Sequence, residues 1–190
     1  MNVLSLIRLL GRFASRLGWR WWFVSAIVGI ICAVACHTMR RHERFFAADT
    51  VSSALLGWYL TLIAAFTIFA RRPRDVGQRF NLDVFNTIAE RLTPGRGSEY
   101  EVILNFVMLV PLGMLLPCIK DCGFKHVAIA ALCLATIIES LQLILSVGTF
   151  ELVDVVENTS GAILGYSFYA LLHRLRVCQE PRHKAPEHLA

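Results

Sequence analysis

Charged residues are scarce in this chain. Asp, Glu, Lys and Arg make up 17% of its 190 residues, against roughly 25% in soluble domains. Hydrophobic residues make up 56% and the mean hydropathy is +0.56. The connections between apolar segments are short, the longest spanning residues 71–101. The scarcity of charge argues against a soluble protein, and the short connections leave no room for a separate soluble domain.

The sequence also lacks the motifs of familiar enzymes and metal sites. It contains no HExxH, GxSxG or Walker phosphate-binding loop. Its six cysteines include no CxxC pair and no zinc-type spacing, so we expect no metal and no cofactor. The net charge is +5, but a protein that binds nucleic acid concentrates its Lys and Arg residues on a folded polar surface. The sequence leaves no room for such a surface, so we expect no nucleic acid partner.

Long apolar segments dominate what is present. A hydrocarbon core about 30 Å thick requires roughly 20 apolar residues in a helix. Five segments approach this length, namely residues 21–36, 51–70, 102–119, 124–147 and 155–172. They predict an all-α fold, namely an integral membrane bundle of about five transmembrane helices. We expect membrane lipid to be a partner of this bundle.

Two amphipathic segments are expected to lie along the membrane surface. A basic interfacial helix is predicted near the amino terminus from arginines spaced four apart: Arg8, Arg12, Arg16 and Arg20. A second short interfacial helix is predicted in the long loop from apolar residues with the same spacing: Phe80, Val84, Ile88 and Leu92. Lys and Arg divide almost evenly between the two sides, so charge leaves the membrane orientation open.

Polar groups within the apolar segments are the candidate functional residues. A charge near a helix centre costs about 2.5–3.5 kcal/mol on insertion scales, so such groups require a role. They are Asn105, Glu139, Gln142, Asp154 and Asn158. At about 1.5 Å per residue, and with successive helices alternating in direction, these side chains should fall in one leaflet. We expect a polar ligand-binding cluster, with interhelical hydrogen bonding as the alternative.

Other residues are expected to shape the bundle. Pro111 should kink the third segment, and Gly161 and Gly165 form a GxxxG pattern that favours close helix packing. Gly113 is assigned to packing as well, whereas Glu157 is expected to face the lipid headgroups. No basic residue lies inside the last three segments, so a counter-ion for Glu139 must come from a loop or a ligand.

These motifs together resemble the VanZ-like family. The resemblance rests on Asn105-Phe-Val-Met-Leu-Val-Pro111-Leu-Gly113, on Glu139-Ser-Leu-Gln142 and on Asp154-Val-Val-Glu-Asn158-Thr-Ser-Gly161, over roughly residues 80–172. Upstream, Asn81-Leu82, Phe85 and Thr87-Ile88 resemble the family's NLxPFxTI segment. Thr149 stands where the family often has an arginine, and Arg79 or Arg96 is the expected substitute counter-ion.

The resemblance divides the chain into four parts. They are a basic segment (1–18), two transmembrane helices (19–79), a VanZ-like domain with three transmembrane helices (80–173) and a polar tail (174–190). It also implies a multi-pass protein of the bacterial inner membrane with a role in the cell envelope. The family is named for a member associated with resistance to teicoplanin, a glycopeptide antibiotic.

Two functions follow as hypotheses. The first is a non-enzymatic or accessory protein that binds a cell-envelope precursor or a glycopeptide through the polar cluster. The second is an intramembrane enzyme acting on a lipid-linked or cell-wall substrate, with Glu139 or Asp154 as general acid or base. A proton or ion pathway is a third idea, which the lack of an evident internal repeat disfavours.

Overall fold

The computed structural model describes residues 18–39, 46–71, 80–91, 93, 99–120 and 122–179. The predicted basic helix at the amino terminus lies outside these residues except for its end, and so do Arg79, Arg96 and most of the polar tail. Seven α-helices form the described part of the chain: α1 (Gly18–Met39), α2 (Phe46–Ala64), α3 (Val84–Arg91), α4 (Glu99–Met108), α5 (Val110–Lys120), α6 (Phe124–Ile144) and α7 (Leu152–Gln179).

The all-α prediction is confirmed. Four helical segments are long and apolar enough to cross a membrane: Gly18–Thr38, Asp49–Phe69, Glu101–Ile119 and Phe124–Ile144. The fifth predicted span lies within α7, a helix of 28 residues whose first turn carries Asp154. The predicted loop helix is α3, which begins at Val84 rather than Phe80.

Phe80 lies instead in a short strand that the sequence analysis missed. Strand β1 (Phe80–Asn81) pairs in parallel with β2 (Phe150–Glu151), with Phe80 opposite Phe150 and Asn81 opposite Glu151. Each strand has two residues, too few to show any periodicity in the sequence. The pair fixes the long loop beside the start of α7.

The third predicted span is divided at Leu109, between α4 and α5. Pro111 has no backbone N–H to donate to the carbonyl of Val107, so a regular helix cannot continue through this point. The helix resumes with the amide of Gly113 donating to the Leu109 carbonyl at 3.3 Å. Leu109 itself is fully buried, so the break lies inside the bundle.

Glycine allows α4 and α5 to approach α7 at backbone distance. A Cβ atom on Gly161 would overlap the carbonyl oxygen of Phe106, and one on Gly165 would overlap that of Val110. From the other side, a Cβ atom on Gly113 would overlap the carbonyl oxygen of Ala162. At these three glycines the helices therefore meet backbone to backbone.

The core is formed by small and branched side chains of α2, α5, α6 and α7, including Ile63, Leu112, Ala131, Ala135 and Ala162. Large apolar side chains point outward along α1 and α6, as they do in helices surrounded by lipid. Helix α6 ends in a Schellman turn, with Val147 donating to the Gln142 carbonyl at 3.0 Å and Ser146 in the left-handed region at φ 55°.

Candidate functional site

Arg91, the last residue of α3, is the centre of a buried network of ion pairs. Its Nη1 atom lies 2.7 Å from Asp154 Oδ1 and 3.0 Å from Glu157 Oε2, and its Nη2 atom pairs with Glu151 Oε2. The Arg91 side chain is only 7% exposed. We call these four residues the Arg91 cluster. A guanidinium presents several donors in one plane, which suits it to bind carboxylates from different turns of a helix.

Local sequence places Arg91 there. The Asp83 Oδ1 atom accepts a hydrogen bond from the Asn86 amide at 3.1 Å, an N-cap that starts α3 directly after β1. This amide lowers the pKa of Asp83. Asn81 braces the same turn by donating to Thr87 Oγ1 at 3.0 Å. Because β1 is paired with β2, the carboxyl end of α3 is held against the first turns of α7.

Asn105 joins the Arg91 cluster from the third span. Its Nδ2 atom donates to Glu157 Oε2 at 3.2 Å. Thr149, the residue in place of the family's arginine, donates through Oγ1 to Glu151 Oε1 at 3.0 Å. Glu157 is 8% exposed and shared between Arg91 and Asn105, so the expectation that it faces the lipid headgroups is wrong. Burial among polar partners is cheaper for this carboxylate than contact with hydrocarbon.

Glu139 and Gln142 extend the network along α6. Glu139 is 2% exposed, and its Oε2 atom accepts a hydrogen bond from the Glu151 backbone amide at 3.1 Å. Gln142 is 3% exposed, and its Oε1 atom accepts from Arg71 Nη1 at 3.1 Å. A Cβ atom on Gly148 would lie 3.0 Å from Gln142 Oε1, so only glycine leaves this contact undisturbed.

Within the described residues, the cations of the site are Arg91 and Arg71. Both lie outside the last three spans, which contain no basic residue. Neither is one of the two arginines that were expected to replace the family's arginine at position 149. Arg79 and Arg96, which were expected, lie outside the described residues. Arg91 was not among the residues singled out from the sequence, and its burial places it at the centre of the site.

Asn158 lies one turn after Asp154 and is 1% exposed. Its Nδ2 atom donates to the backbone carbonyl of Asp154 at 2.8 Å. Its Oδ1 atom is buried and has no hydrogen-bond partner among the described residues. An acceptor left in this state costs about 1–3 kcal/mol, so this amide is the point of the site with unused binding capacity.

Among the described residues of this region, negative charge exceeds positive charge. Arg91 pairs with three carboxylates, those of Glu151, Asp154 and Glu157, while Glu139 binds a backbone amide and Arg71 binds Gln142. Burial acts to lower the pKa of Arg91, but the neighbouring Asp154 and Glu157 outweigh it and raise that pKa. The site therefore favours ligands that donate hydrogen bonds or carry positive charge.

The five residues singled out from the sequence all lie at this end of the bundle, and the structure connects them through residues that were not singled out. Arg91, Glu151 and Glu157 join Asp154 to Asn105, while the Glu151 amide joins the network to Glu139. One sequence signal was available: Glu151, Asp154 and Glu157 recur every three residues. Three acids so close together at the start of an apolar segment call for a cation. In the described part of the chain no group of three or more His, Cys, Asp or Glu residues could hold a metal ion.

Comparisons with known proteins agree with these motifs. A family model described as VanZ/LLP1 matches residues 54–173, starting inside α2 and so before the boundary at residue 80. The chain is 31% identical to Protein VanZ of Enterococcus faecium over 127 residues, which covers 65% of this chain and 76% of that protein. No solved structure matches. The extent of both matches shows that this chain belongs to the VanZ-like family of membrane proteins.

Proposed function

We propose that this protein is a multi-pass protein of the bacterial inner membrane that binds a cell-envelope ligand without transforming it. The observation that supports the proposal most directly is the buried Oδ1 atom of Asn158, which has no hydrogen-bond partner in the described part of the chain. Asn158 lies one turn after Asp154 of the Arg91 cluster, and its Nδ2 atom donates to the Asp154 carbonyl. Its Oδ1 atom is therefore an acceptor beside the cluster that a ligand can use.

The ligand we propose is a peptide-bearing envelope precursor or a glycopeptide antibiotic. Both classes present amide N–H groups and amines, which are the donors that an acidic site with a free amide carbonyl can recognise. In this role the protein reduces the susceptibility of its host to teicoplanin, and the family resemblance is what suggests that phenotype.

Asn158→Leu separates this function from stability. Leucine has the same number and branching of side-chain heavy atoms and removes the buried acceptor without leaving an unpaired polar group, so the variant should still fold. We expect it to lose most of the change in teicoplanin susceptibility that the original chain confers on a susceptible bacterial host. The measurement is the minimum inhibitory concentration at matched membrane expression, beside the binding of a fluorescent glycopeptide to the cells.

The matched control is Thr159→Val, one residue further along α7. It removes a hydroxyl that donates only to the Val155 carbonyl, at 2.7 Å, and it should leave susceptibility unchanged. A normal phenotype for Asn158→Leu at equal expression would refute the role of this amide. No effect of the original chain on susceptibility would instead refute the glycopeptide as ligand.

The second candidate function is an intramembrane enzyme for a lipid-linked substrate. One observation favours it: the carboxyls of Glu139 and Asp154 lie in one polar network, where one can act as general acid and the other as general base. Purified protein would then convert extracted lipid-linked cell-wall precursor to a product of changed mass, and both Glu139→Gln and Asp154→Asn would abolish this turnover. Turnover that survives both substitutions would exclude these carboxyls as the acid and base.

A further inference from the structure

A cavity lies at the opposite end of the bundle from the Arg91 cluster. Its volume is about 250 Å³, and it is open between the turn before α6 and the last turns of α7. The lining includes Cys122, Gly123, Tyr166, Tyr169, His173 and Arg174. We call it the Arg174 cavity. Helices α6 and α7 run in opposite directions, so the start of one meets the end of the other here, far from Glu139 and Asp154.

The depth of this cavity corresponds to the membrane boundary. The span Phe124–Ile144 begins one residue after Gly123. In α7, about 20 residues of helix cover a hydrocarbon core, so a helix starting at Leu152 reaches the far boundary near Leu172. His173 and Arg174 follow directly, and both are exposed. The cavity therefore opens at the level of lipid headgroups.

The described lining of the cavity is positively charged. It includes Arg174 and His173 and, within the part of the chain that the structure describes, no carboxylate. The first turn of α6 contains no acidic residue, and the exposed Lys125 and His126 lie in it. Arginine is the side chain best suited to hold a phosphate, because its planar fork matches two phosphate oxygens. Basic pockets between membrane helices have this function elsewhere.

An aromatic wall completes the cavity on its lipid side. The ring centroids of Phe124 and Tyr166 are 5.8 Å apart, those of Tyr166 and Tyr169 are 6.2 Å apart, and those of Tyr169 and His173 are 5.8 Å apart. Rings with one polar edge are typical of the membrane boundary, where an apolar body faces acyl chains and a hydroxyl faces headgroups. A lipid bound here can therefore place its phosphate at Arg174 and its acyl chains beyond the rings.

We infer that the Arg174 cavity binds the headgroup of an anionic phospholipid, through its phosphate. This site is separate from the one that carries the proposed function, since the two lie at opposite ends of α6 and α7. The bound molecule is a lipid of the surrounding membrane. We therefore expect it to stay bound as part of the folded protein, unlike a cell-envelope ligand that binds and dissociates.

The test uses the full chain purified in a nonionic detergent. Short-chain phosphatidylglycerol, short-chain phosphatidylcholine and inorganic phosphate are added separately, and binding is followed by native mass spectrometry and by the thermal midpoint. Phosphatidylglycerol should bind and raise the midpoint with concentration. Phosphatidylcholine has the same phosphate, but its choline cation is repelled by the positive charge of Arg174, and inorganic phosphate has no acyl chains to contact the rings. Both should therefore bind at least roughly tenfold more weakly.

Arg174→Gln should weaken phosphatidylglycerol binding roughly tenfold. The control is Arg20→Gln, which removes an exposed arginine near the opposite membrane boundary and should leave binding unchanged. His173→Gln provides a second variant if the first fails to fold. Equal losses for Arg174→Gln and Arg20→Gln, or equal binding of phosphatidylcholine, would overturn the proposal. Competition by inorganic phosphate at the same concentration as the lipid would also overturn it, in favour of a free-anion site.

Discussion

Single side chains decide how this bundle accommodates its acids. Arg91 bridges a loop helix to Glu151 and Glu157, which are 60 and 66 residues away along the chain. The three carboxylates it contacts would otherwise be crowded at one end of α7, where like charges repel and burial adds to the cost. The Arg91 guanidinium therefore offsets the repulsion among these three carboxylates and stabilises the start of α7.

We expect Arg91→Ala to destabilise the protein by about 3–5 kcal/mol, because it leaves buried carboxylates without their cation. Arg91→Lys should recover only part of this loss, since an ammonium lacks the planar fork of donors. The measurement is unfolding of the purified chain in mixed micelles with increasing SDS. Arg20→Ala, at an exposed arginine of α1, is the control and should change stability by less than about 1 kcal/mol. A loss of that small size for Arg91→Ala would contradict the structural role of the cluster.

Pairs of helices are held by backbone contact more than by large side chains. In a membrane, helix association gains little from the hydrophobic effect, so close packing over small residues takes its place. Gly161 and Gly165 on α7 meet the carbonyls of Phe106 and Val110 on either side of the break at Leu109. The broken third span and the glycines of α7 are therefore complementary, and together they set the distance between Asn105 and Glu157.

Gly161→Ala should separate α4 from α7, because the added methyl group would occupy the position of the Phe106 carbonyl. Overpacking usually costs about 1–3 kcal/mol, and contact with backbone rather than a flexible side chain places this case at the upper end. Unfolding in mixed micelles measures the loss. Gly123→Ala is the matched control, since its methyl group would meet nothing within 4 Å. Similar stability of the two variants would show that the close approach at Gly161 is not required.

The molecule as a whole has two chemically different ends. Acids with Arg91 and Arg71 lie at one end, and the positively charged Arg174 cavity lies at the other. Between them the outward surfaces are apolar. This asymmetry fits a protein whose two membrane faces perform different tasks: ligand binding at one face and lipid attachment at the other.

This arrangement predicts which positions face opposite sides of the membrane. In a background without the native cysteines, Ala89→Cys on α3 and Lys125→Cys on α6 introduce thiols at exposed positions of the two ends. A membrane-impermeant maleimide should label one of them in intact cells and the other in inverted vesicles. Labelling of both from the same side would contradict a bundle that spans the membrane.

Much of the architecture was predictable because apolar length and helical period are local properties of a chain. The spans, the helix of the long loop, the effect of Pro111 and the packing role of the small-residue pattern at Gly161 all follow from them. The broad location of the polar residues was predictable as well, since a rise of about 1.5 Å per residue converts sequence position into depth.

Partners distant in the sequence were not predictable in this way. Arg91 was not singled out and Glu157 was assigned to the headgroups, because the period of a helix says which residues share a face but not what that face meets. The pairing of Phe80 with Phe150 made the difference, since it folds the loop back over α7. Helical depth is set along the chain by local geometry, whereas the matching of charges 60 residues apart depends on how that loop packs, and only the folded molecule contains this information.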